Sequence, residues 1–238
     1  MVAERSRHRR PVSWPYMTEG SVERLPRGPH NLTREEVTSS QRRRLFEAAL
    51  NAAAADGYKS ISVATLIAGA GVSRRTFYQL FSSKDDCIAE GFDAIFFRVD
   101  AQLTAAIGHS SARDWRELVS TSLHEYLSIL TASPDLARVL HVEALVAGPP
   151  VYPFRARMVS RFVDRMYTAQ CLGWAQAGYA EPPQSSADAR FLVGGIDDFI
   201  RTALIASDFR PSDIRDLNEP ITRLALRILE PPPGTAFR

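Results

Sequence analysis

Residues 62–86, SVATLIAGAGVSRRTFYQLFSSKDD, constrain the fold of this chain more than any other segment. Their pattern predicts a helix, a glycine-containing turn, a short second helix, another turn and the start of a third helix. Phe77, Leu80 and Phe81 occupy positions i, i+3 and i+4 of the second helix. They therefore form an apolar stripe that must be buried against the rest of the domain.

The opposite face of that second helix is polar and carries Arg74, Arg75, Tyr78 and Gln79. Such side chains bind phosphates and base edges, and a short helix behind a tight turn is how a recognition helix enters the DNA major groove. Either arginine can pair with guanine and Gln79 with adenine, while Thr76 suits either kind of contact. DNA binding is the first interpretation, and an ordinary solvated helix face is the alternative.

The net charge of +2 gives no global argument for nucleic acid, but the charge is unevenly distributed. Residues 1–44 contain ten arginines against five acidic residues, next to the predicted helix-turn-helix. Residues 1–32 lack a helical period and contain several prolines, which predicts a flexible, arginine-rich arm. Three interpretations of this arm stay open: a solvated tail, non-specific attraction to phosphates, or insertion into a minor groove.

An all-α fold is predicted, because no stretch sustains the two-residue period of a strand. Thr33 and Glu36 match a capping box that begins a helix reaching about residue 55. Ser62, Ser73 and Ser83 are expected to cap the next three helices, and the last of these runs over 84–107. Further helices are expected over 111–130 and from residue 134, and another follows a proline-rich break at 148–153. The last two helices are expected over 186–206 and 212–229, with Pro220 marking the start or a kink of the final one.

The two cysteines, Cys87 and Cys171, lie far apart in apolar helical contexts, so we expect free thiols and no metal site or cofactor. No apolar run reaches the length of a membrane span, and the basic N-terminus lacks the apolar segment of a secretory signal. We therefore expect a cytoplasmic protein. Its predicted parts are an arm (1–32), a helix-turn-helix DNA-binding domain (33–90), a helical ligand-binding and dimerisation domain (91–230) and a tail (231–238).

The segment from about Arg42 to Phe92 resembles the N-terminal domain of the TetR family of transcriptional regulators. The matching residues are Arg44-Leu-Phe-Glu-Ala-Ala49, Gly57-Tyr58, Ala70-Gly-Val-Ser73, Thr76-Phe-Tyr78 with Phe81, and Ser83-Lys-Asp-Asp86. The resemblance implies phosphate contacts by Tyr78 and Lys84, and a homodimer that binds a palindromic operator in double-stranded DNA. The candidate DNA-contacting residues are Arg44, Ser62, Ser73, Arg74, Arg75, Thr76, Tyr78, Gln79 and Lys84.

Three positions depart from the family pattern. Ile61 stands where the family often has threonine, which predicts the loss of one phosphate contact. Ile67 replaces a small residue and Gly69 a polar one, which predicts altered packing and turn flexibility more than lost binding.

The resemblance also implies a cavity for a small-molecule effector in the C-terminal domain, and the aromatic composition there favours an apolar or aromatic ligand. For any single aromatic residue, a place in the ordinary core is the alternative. His124 is a weaker candidate, and Asp197-Asp198 are expected to face solvent. The candidate pocket residues are Phe92, Phe96, Trp115, Tyr126, His141, Phe162, Trp174 and Phe191.

Apolar and small residues on the last two predicted helices suit a four-helix interface between two copies of the chain. The alternative is that these helices pack only on their own domain, which leaves a monomer. The candidate interface residues are Gly195, Phe199, Ala203, Leu224 and Ile228.

These features together predict a ligand-responsive repressor that an effector releases from its operator. No catalytic or metal-ligating set stands out, so an enzyme is not expected. The main alternative is a non-specific or architectural DNA-binding protein that uses the arm and the helix-turn-helix. A helical ligand-binding or enzymatic domain that has lost DNA binding, and an activator in place of a repressor, also stay open.

Overall fold

The computed structural model describes residues 33–109 and 114–233, and every regular element in these ranges is helical. The predicted arm and most of the predicted tail lie outside the described residues. The chain divides into two compact units, and the boundary between them falls between Ile95 and Phe96. In the described part of the chain, no helix combines the length and the apolar composition needed to cross a membrane.

The N-terminal unit is built from α1 (Arg34–Asp56), α2 (Val63–Ala70), α3 (Arg74–Leu80) and the first part of α4 (Lys84–His109). A short 3-10 turn, Tyr58–Ser60, joins α1 to α2. The side chains of Leu45, Ala49 and Leu66 are almost completely buried and form part of the core of this unit. The all-α prediction is confirmed.

Local hydrogen bonds begin these helices where the sequence predicts. The Thr33 hydroxyl accepts from the backbone N–H of Glu36, and the Glu36 carboxylate accepts from the N–H of Thr33, which confirms the capping box. Ser62 and Ser73 cap α2 and α3, and Ser83 accepts a hydrogen bond from the N–H of Asp86 in the first turn of α4. Each cap satisfies a backbone N–H that has no partner within its helix.

The C-terminal unit contains the rest of α4 and seven further helices, joined in part by shorter helical turns. Burial of Trp115, Leu130, Leu136 and Phe154 shows where its core lies. The helices are α5 (Trp115–Ala132), α6 (Pro134–Arg138), α7 (Ala144–Val146), α8 (Tyr152–Gln176), α9 (Ala187–Ile205), α10 (Pro211–Asp216) and α11 (Asn218–Leu229).

Several boundaries differ from the prediction for local reasons. Helix α5 begins at Trp115 and not at 111, because the Asp114 carboxylate caps it by accepting from the N–H of Glu117. The predicted break at 148–153 ends early, since Pro153 fits within the first turn of α8, where its missing N–H costs nothing. The helix predicted over 212–229 is two helices, and Pro220 lies in the first turn of the second.

The helix predicted from residue 134 also changes character. After α6, residues Val139–Glu143 form one turn of π-helix before α7 begins. A π-helical turn inserts an extra residue into the hydrogen-bond ladder and frequently occurs at functional sites. His141 lies in this turn, and its side chain is buried.

Candidate nucleic-acid interface and ligand cavity

Two buried rings anchor the candidate recognition helix, α3. Phe77 is completely buried and Phe81 nearly so, with their ring centroids 5.8 Å apart, while Leu80 is half-buried. The predicted apolar stripe is therefore confirmed. Burying two aromatic rings holds the short helix in one orientation, although seven residues would not form a stable helix alone.

Two glycines near the end of α2 have different structural roles. Gly71 ends α2 in the left-handed conformation, with φ 61° and ψ 40°, which glycine adopts without steric cost. Gly69 lies against α1, because a Cβ built on it would come within 2.9 Å of the Ala48 Cβ. The small residue at 69 therefore allows α1 and α2 to approach closely.

The face of α3 opposite the buried rings is open to solvent. Arg74, Arg75 and Gln79 are exposed, and Tyr78 is 52% exposed. The sequence from 63 to 80 contains no acidic residue, so the two arginines are not neutralised by a carboxylate within α2, α3 or their turn. This face has the charge and the hydrogen-bonding groups that phosphate and base contacts require.

Three of the predicted DNA-contacting hydroxyls take part in helix capping. The Ser62 hydroxyl accepts from the N–H of Thr65, and the Ser73 hydroxyl accepts from the N–H of Thr76. Thr76 is half-buried, and its own hydroxyl lies 2.8 Å from that of Ser73. Both serines are exposed, so a hydroxyl that caps a helix also faces the solvent from which DNA would approach.

Arg44 and Lys84 are half-buried and donate to backbone carbonyls. The Nη1 of Arg44 donates to the carbonyl of Ala70 at 2.9 Å and so satisfies an acceptor at the end of α2. The Nζ of Lys84 donates to the carbonyl of Ile61 at 3.0 Å and lies 5.3 Å from the centroid of the Tyr58 ring. These contacts position α2 and the start of α4, and a DNA contact by either residue stays a prediction.

Arg42 is a positioning residue that the sequence analysis did not identify. Its Nη2 donates to the carbonyl of Leu80 at 3.0 Å, and its guanidinium lies 4.7 Å from the centroid of the Phe81 ring. It also pairs with Glu90 of α4. Arg42 thus ties the end of α3 to α1 and α4. Its charge had marked it as part of a basic cluster, and no local signal points to these distant partners.

The C-terminal unit encloses a cavity of about 40 Å³ between α5, α8, α9 and the π-helical turn. Three predicted pocket residues, Tyr126, His141 and Phe162, line it. Its walls are otherwise mainly apolar. The lining residues are Ser122, Leu123, Tyr126, His141, Met158, Val159, Phe162, Arg165, Met166, Val193, Ile196 and Asp197.

The other five predicted pocket residues lie elsewhere. Phe92 is buried in the N-terminal unit, and Phe96 and Trp115 are buried in the C-terminal unit without lining the cavity. The Phe96 ring lies behind the wall, with its centroid 6.4 Å from that of Phe162. Trp174 is half-buried, and Phe191 is 76% exposed. Helical periodicity shows which residues share a face, but it does not show which face borders a cavity.

A buried polar chain forms one wall of the cavity. The Tyr126 hydroxyl lies 2.7 Å from Nε2 of His141, whose Nδ1 lies 2.8 Å from Oδ1 of Asp197. The other carboxylate oxygen, Oδ2, accepts from Arg155 at 2.6 Å and from Arg201 at 2.8 Å. The expectation that Asp197 faces solvent is wrong, because two guanidinium groups and an imidazole offset the cost of burying its carboxylate.

The surroundings of Asp197 and Tyr126 fix the protonation of these two groups. Burial raises the pKa of Asp197, but hydrogen bonding from His141 and Arg155 outweighs burial and lowers the pKa to about 2, so Asp197 is ionised. It therefore accepts from the Nδ1–H of His141. Burial and the Asp197 charge raise the pKa of Tyr126, which therefore keeps its proton and stays within hydrogen-bond distance of Nε2. The wall thus holds one ionised carboxylate that His141, Arg155 and Arg201 contact directly.

The candidate interface residues lie on one side of the last helices. On α9, Phe199 and Gly195 are exposed and Ala203 is half-buried, while on α11 Leu224 is exposed and Ile228 is half-buried. Helices α9 and α11 pack against each other within the unit. Their outward sides therefore carry apolar side chains that nothing within the described chain covers completely.

Comparison with known proteins agrees with these features. Residues 45–90 match the model of the bacterial regulatory proteins of the tetR family. The chain is 28% identical over 152 residues to the HTH-type transcriptional regulator EthR of Mycolicibacterium smegmatis. That match covers 62% of this chain and 66% of EthR, just under two thirds of the relative's length.

Solved structures share the fold at lower identity. FadR from Bacillus subtilis, in complex with stearoyl-CoA, matches with a TM-score of 0.66 and 18% identity, over 76% of this chain and 96% of FadR. The fatty acid degradation regulator FadR from Bacillus halodurans matches with the same TM-score and identity, over 83% and 97% of the two chains. The family match and the similarity to EthR show that the helix-turn-helix segment of this chain, residues 45–90, is of the tetR-family type.

Proposed function

We propose that this regulator is a homodimeric repressor that binds a palindromic operator through α3 and is released by a small-molecule effector. The observation that carries the proposal is the division of α3 into two faces. Phe77 and Phe81 fix the helix from behind, and Arg74, Arg75 and Gln79 face solvent as groups suited to base edges and phosphates.

The exposed side of α9 and α11 supports the homodimer. Phe191 and Phe199 are both exposed on α9, about two turns apart, and a Cβ added at Gly194 or Gly195 would meet no described atom within 4 Å. Leu224 extends this apolar surface onto α11. A face of large apolar side chains and open glycines suits close packing against its own copy around a two-fold axis.

The cavity in the C-terminal unit supports an effector. Its apolar walls favour an apolar body, and the buried chain around Asp197 provides a rigid polar wall that fixes orientation. The protein FadR, which shares this fold, was solved with stearoyl-CoA, a molecule with a long apolar part. Helix α4 begins in the DNA-binding unit and ends in the unit with the cavity, so it is the element that connects effector and DNA.

Release requires that the effector distinguish two states of the protein. Moving the population from mostly DNA-bound to mostly released needs a difference of about 5 kcal/mol in effector affinity between the two states. A ligand that binds both states equally would leave operator affinity unchanged, however tightly it binds.

The experiment that tests the proposal is selection from a library of random DNA duplexes with the purified protein. Enrichment of a palindrome with two half-sites about one helical turn apart would support a sequence-specific dimer. Retention of all sequences with a steep salt dependence would instead identify a non-specific or architectural DNA-binding protein.

A further inference from the structure

An ion-pair cluster links α4 to α8 inside the C-terminal unit. Nη2 of Arg161 donates to Oδ2 of Asp100 at 2.8 Å, and Nη2 of Arg165 donates to Oδ1 at 2.8 Å. The same Arg165 nitrogen lies 3.1 Å from the Thr104 hydroxyl of α4. Burial raises the pKa of Asp100, but the hydrogen bonds and charges of the two arginines lower it overall, so this carboxylate is ionised.

Arg165 of this cluster lines two cavities. A second cavity of about 310 Å³ is lined by Arg161 and Arg165 together with side chains of α4, α5 and α8. Ser122 and Arg165 line both this outer cavity and the inner cavity next to Tyr126. Arg165 therefore forms part of the wall of both cavities, so a ligand group bound to its guanidinium in the outer cavity lies next to the apolar inner walls.

The inner cavity is too small to hold a drug-sized molecule without movement, since such sites usually exceed about 300 Å³. Met158 and Met166 form part of its wall, and methionine side chains rearrange easily to admit an apolar group. The outer cavity is already of the required size. The two together suit a slender molecule whose apolar end lies inside and whose polar end lies outside.

We propose that the effector is an amphipathic carboxylate that replaces Asp100 on Arg161 and Arg165 and places its apolar chain in the inner cavity. This inference rests on the proposed function and adds the chemical class of the effector and the contact it breaks. A ligand carboxylate offers the same two oxygens as Asp100, and guanidinium groups bind carboxylates through paired hydrogen bonds. In the described part of the chain, no acceptor lies within hydrogen-bond distance of the buried Nε of Arg165, which leaves a donor for the ligand.

Charge balance explains why the ligand must replace Asp100 and not simply join it. Asp164 also lines the outer cavity, so Asp100 and Asp164 already balance the charges of Arg161 and Arg165. An additional carboxylate would leave an excess negative charge in a partly desolvated space. Departure of Asp100 into solvent removes that excess negative charge and breaks the ion pairs between α4 and α8. Helix α4, which begins in the DNA-binding unit, is then no longer held to α8 by this cluster.

The test compares decanoate with 1-decanol, which has the same chain without the charge, by calorimetric titration of the full-length protein. We expect decanoate to bind at least about tenfold more tightly, as charge-assisted hydrogen bonds to two guanidinium groups require. Arg161→Gln and Arg165→Gln should each weaken decanoate binding by about tenfold and leave 1-decanol unchanged. Arg215→Gln, which removes an exposed arginine of α10 outside both cavity linings, is the matched control and should change neither.

Asp100→Asn gives an independent measurement. The Asp100 carboxylate competes with the ligand for Arg161 and Arg165, so its removal should strengthen decanoate binding severalfold. A purely structural role for Asp100 predicts weaker binding or none. Hydrogen exchange over residues 96–109 should speed up when decanoate is added to the wild-type protein. Arg161 is more than half exposed, so Arg161→Gln should cost the fold little stability. It therefore still tests the inference if Arg165→Gln lowers the melting temperature.

Equal binding of decanoate and 1-decanol, unchanged binding by both arginine variants, or no binding of either probe would overturn the inference. None of these readouts involves DNA. A protein that selects a palindrome but fails these titrations would retain the proposed function and lose only this effector class.

Discussion

Phe77 and Tyr78 are neighbours in the chain and in contact, with ring centroids 5.3 Å apart, yet one is completely buried and the other is half exposed. The difference follows from the 100° rotation between successive residues of a helix. It turns a continuous run of sequence into a buried anchor and a solvent-facing surface. Two adjacent exposed residues, Tyr78 and Gln79, then differ in what they can contribute to DNA binding.

Tyr78→Phe and Gln79→Ala should therefore have different consequences. A phosphate contact carries no sequence information, so loss of the Tyr78 hydroxyl should weaken binding to all sequences alike. Loss of the Gln79 amide should relax the preference at one base pair by about 1–3 kcal/mol. Competition binding with the selected operator and single-base variants measures both effects.

Tyr152→Phe, at an exposed tyrosine of the C-terminal unit, is the control and should leave DNA binding unchanged. If Gln79→Ala lost affinity equally for operator and random DNA, the assignment of Gln79 to a base contact would be wrong.

Asp197 holds the polar wall of the cavity together, so Asp197→Asn should destabilise the fold at neutral pH. The substitution leaves Arg155 and Arg201 without a buried counter-charge, which costs about 3 kcal/mol or more. Because the folded pKa lies below the unfolded value, the carboxylate stabilises the wild type above about pH 4. That contribution disappears as the pH falls toward about 2.

Urea unfolding at pH 7 and near pH 3 measures this loss. Asp198→Asn removes the exposed neighbouring carboxylate and should change stability by less than about 1 kcal/mol. A wild-type-like stability of Asp197→Asn at pH 7 would contradict the role given to the buried network.

Among the helices, the close contact between α1 and α2 depends on a single glycine. Gly69 lies in the last turn of α2 and faces Ala48 of α1. In an isolated helix, alanine at this position would be more stable than glycine by about 1 kcal/mol of helix propensity. The close approach of the two helices reverses that preference, because the missing Cβ is what allows it.

Gly69→Ala should therefore destabilise the protein by up to about 2 kcal/mol, since overpacking costs more than helix propensity gains. Ala48→Gly removes the atom that the new Cβ would meet, so the two substitutions should show a coupling of at least about 1 kcal/mol. Thermal or urea unfolding of both single variants and the double variant measures the coupling.

Gly108→Ala on α4 is a matched control, because the added Cβ would meet no described atom within 4 Å. It should leave stability unchanged or increase it slightly. Strictly additive effects at 48 and 69 would show that α1 and α2 adjust their distance freely.

In the whole molecule, the exposed side of α9 and α11 determines the proposed assembly. Phe191→Glu should convert the dimer to a monomer, because it places a charge on the apolar surface proposed as the interface. Since the side chain is 76% exposed, the substitution should cost the protomer little stability. Light scattering coupled to size-exclusion chromatography measures the mass, and operator affinity should fall with loss of the dimer.

Phe97→Glu is the corresponding control, at a phenylalanine of α4 that is 62% exposed and outside the proposed interface. It should leave the dimer intact. A dimer that survives Phe191→Glu, or that Phe97→Glu disrupts instead, would place the interface elsewhere.

The accuracy of the sequence-based expectations depends on how far apart the interacting residues are. The caps at Thr33, Ser62 and Ser73 were predicted correctly because each joins groups three residues apart. The buried stripe of α3 was predicted because its period is local. The π-helical turn, which packs against α9, was not predicted, because no residue pattern within it indicates the change of hydrogen-bond ladder.

The cavity shows where prediction from local sequence fails. Tyr126 and His141 were candidates because of their residue type, but Asp197 was assigned to solvent because a carboxylate in isolation prefers water. Its partners come from residues up to 56 positions away in the chain. No pattern within one helix indicates that an imidazole and two guanidinium groups will converge on one carboxylate.

The amino-acid sequence alone was enough to establish the helical class, the caps, the helix-turn-helix and the polar face of α3. These follow from hydrogen bonds and side-chain periods that span a few residues. Tertiary packing alone decided that Arg42 holds the end of α3, that Asp197 is buried, and that Arg165 borders two cavities. Those features depend on long-range contacts, whose energies exist only once distant helices have been brought together.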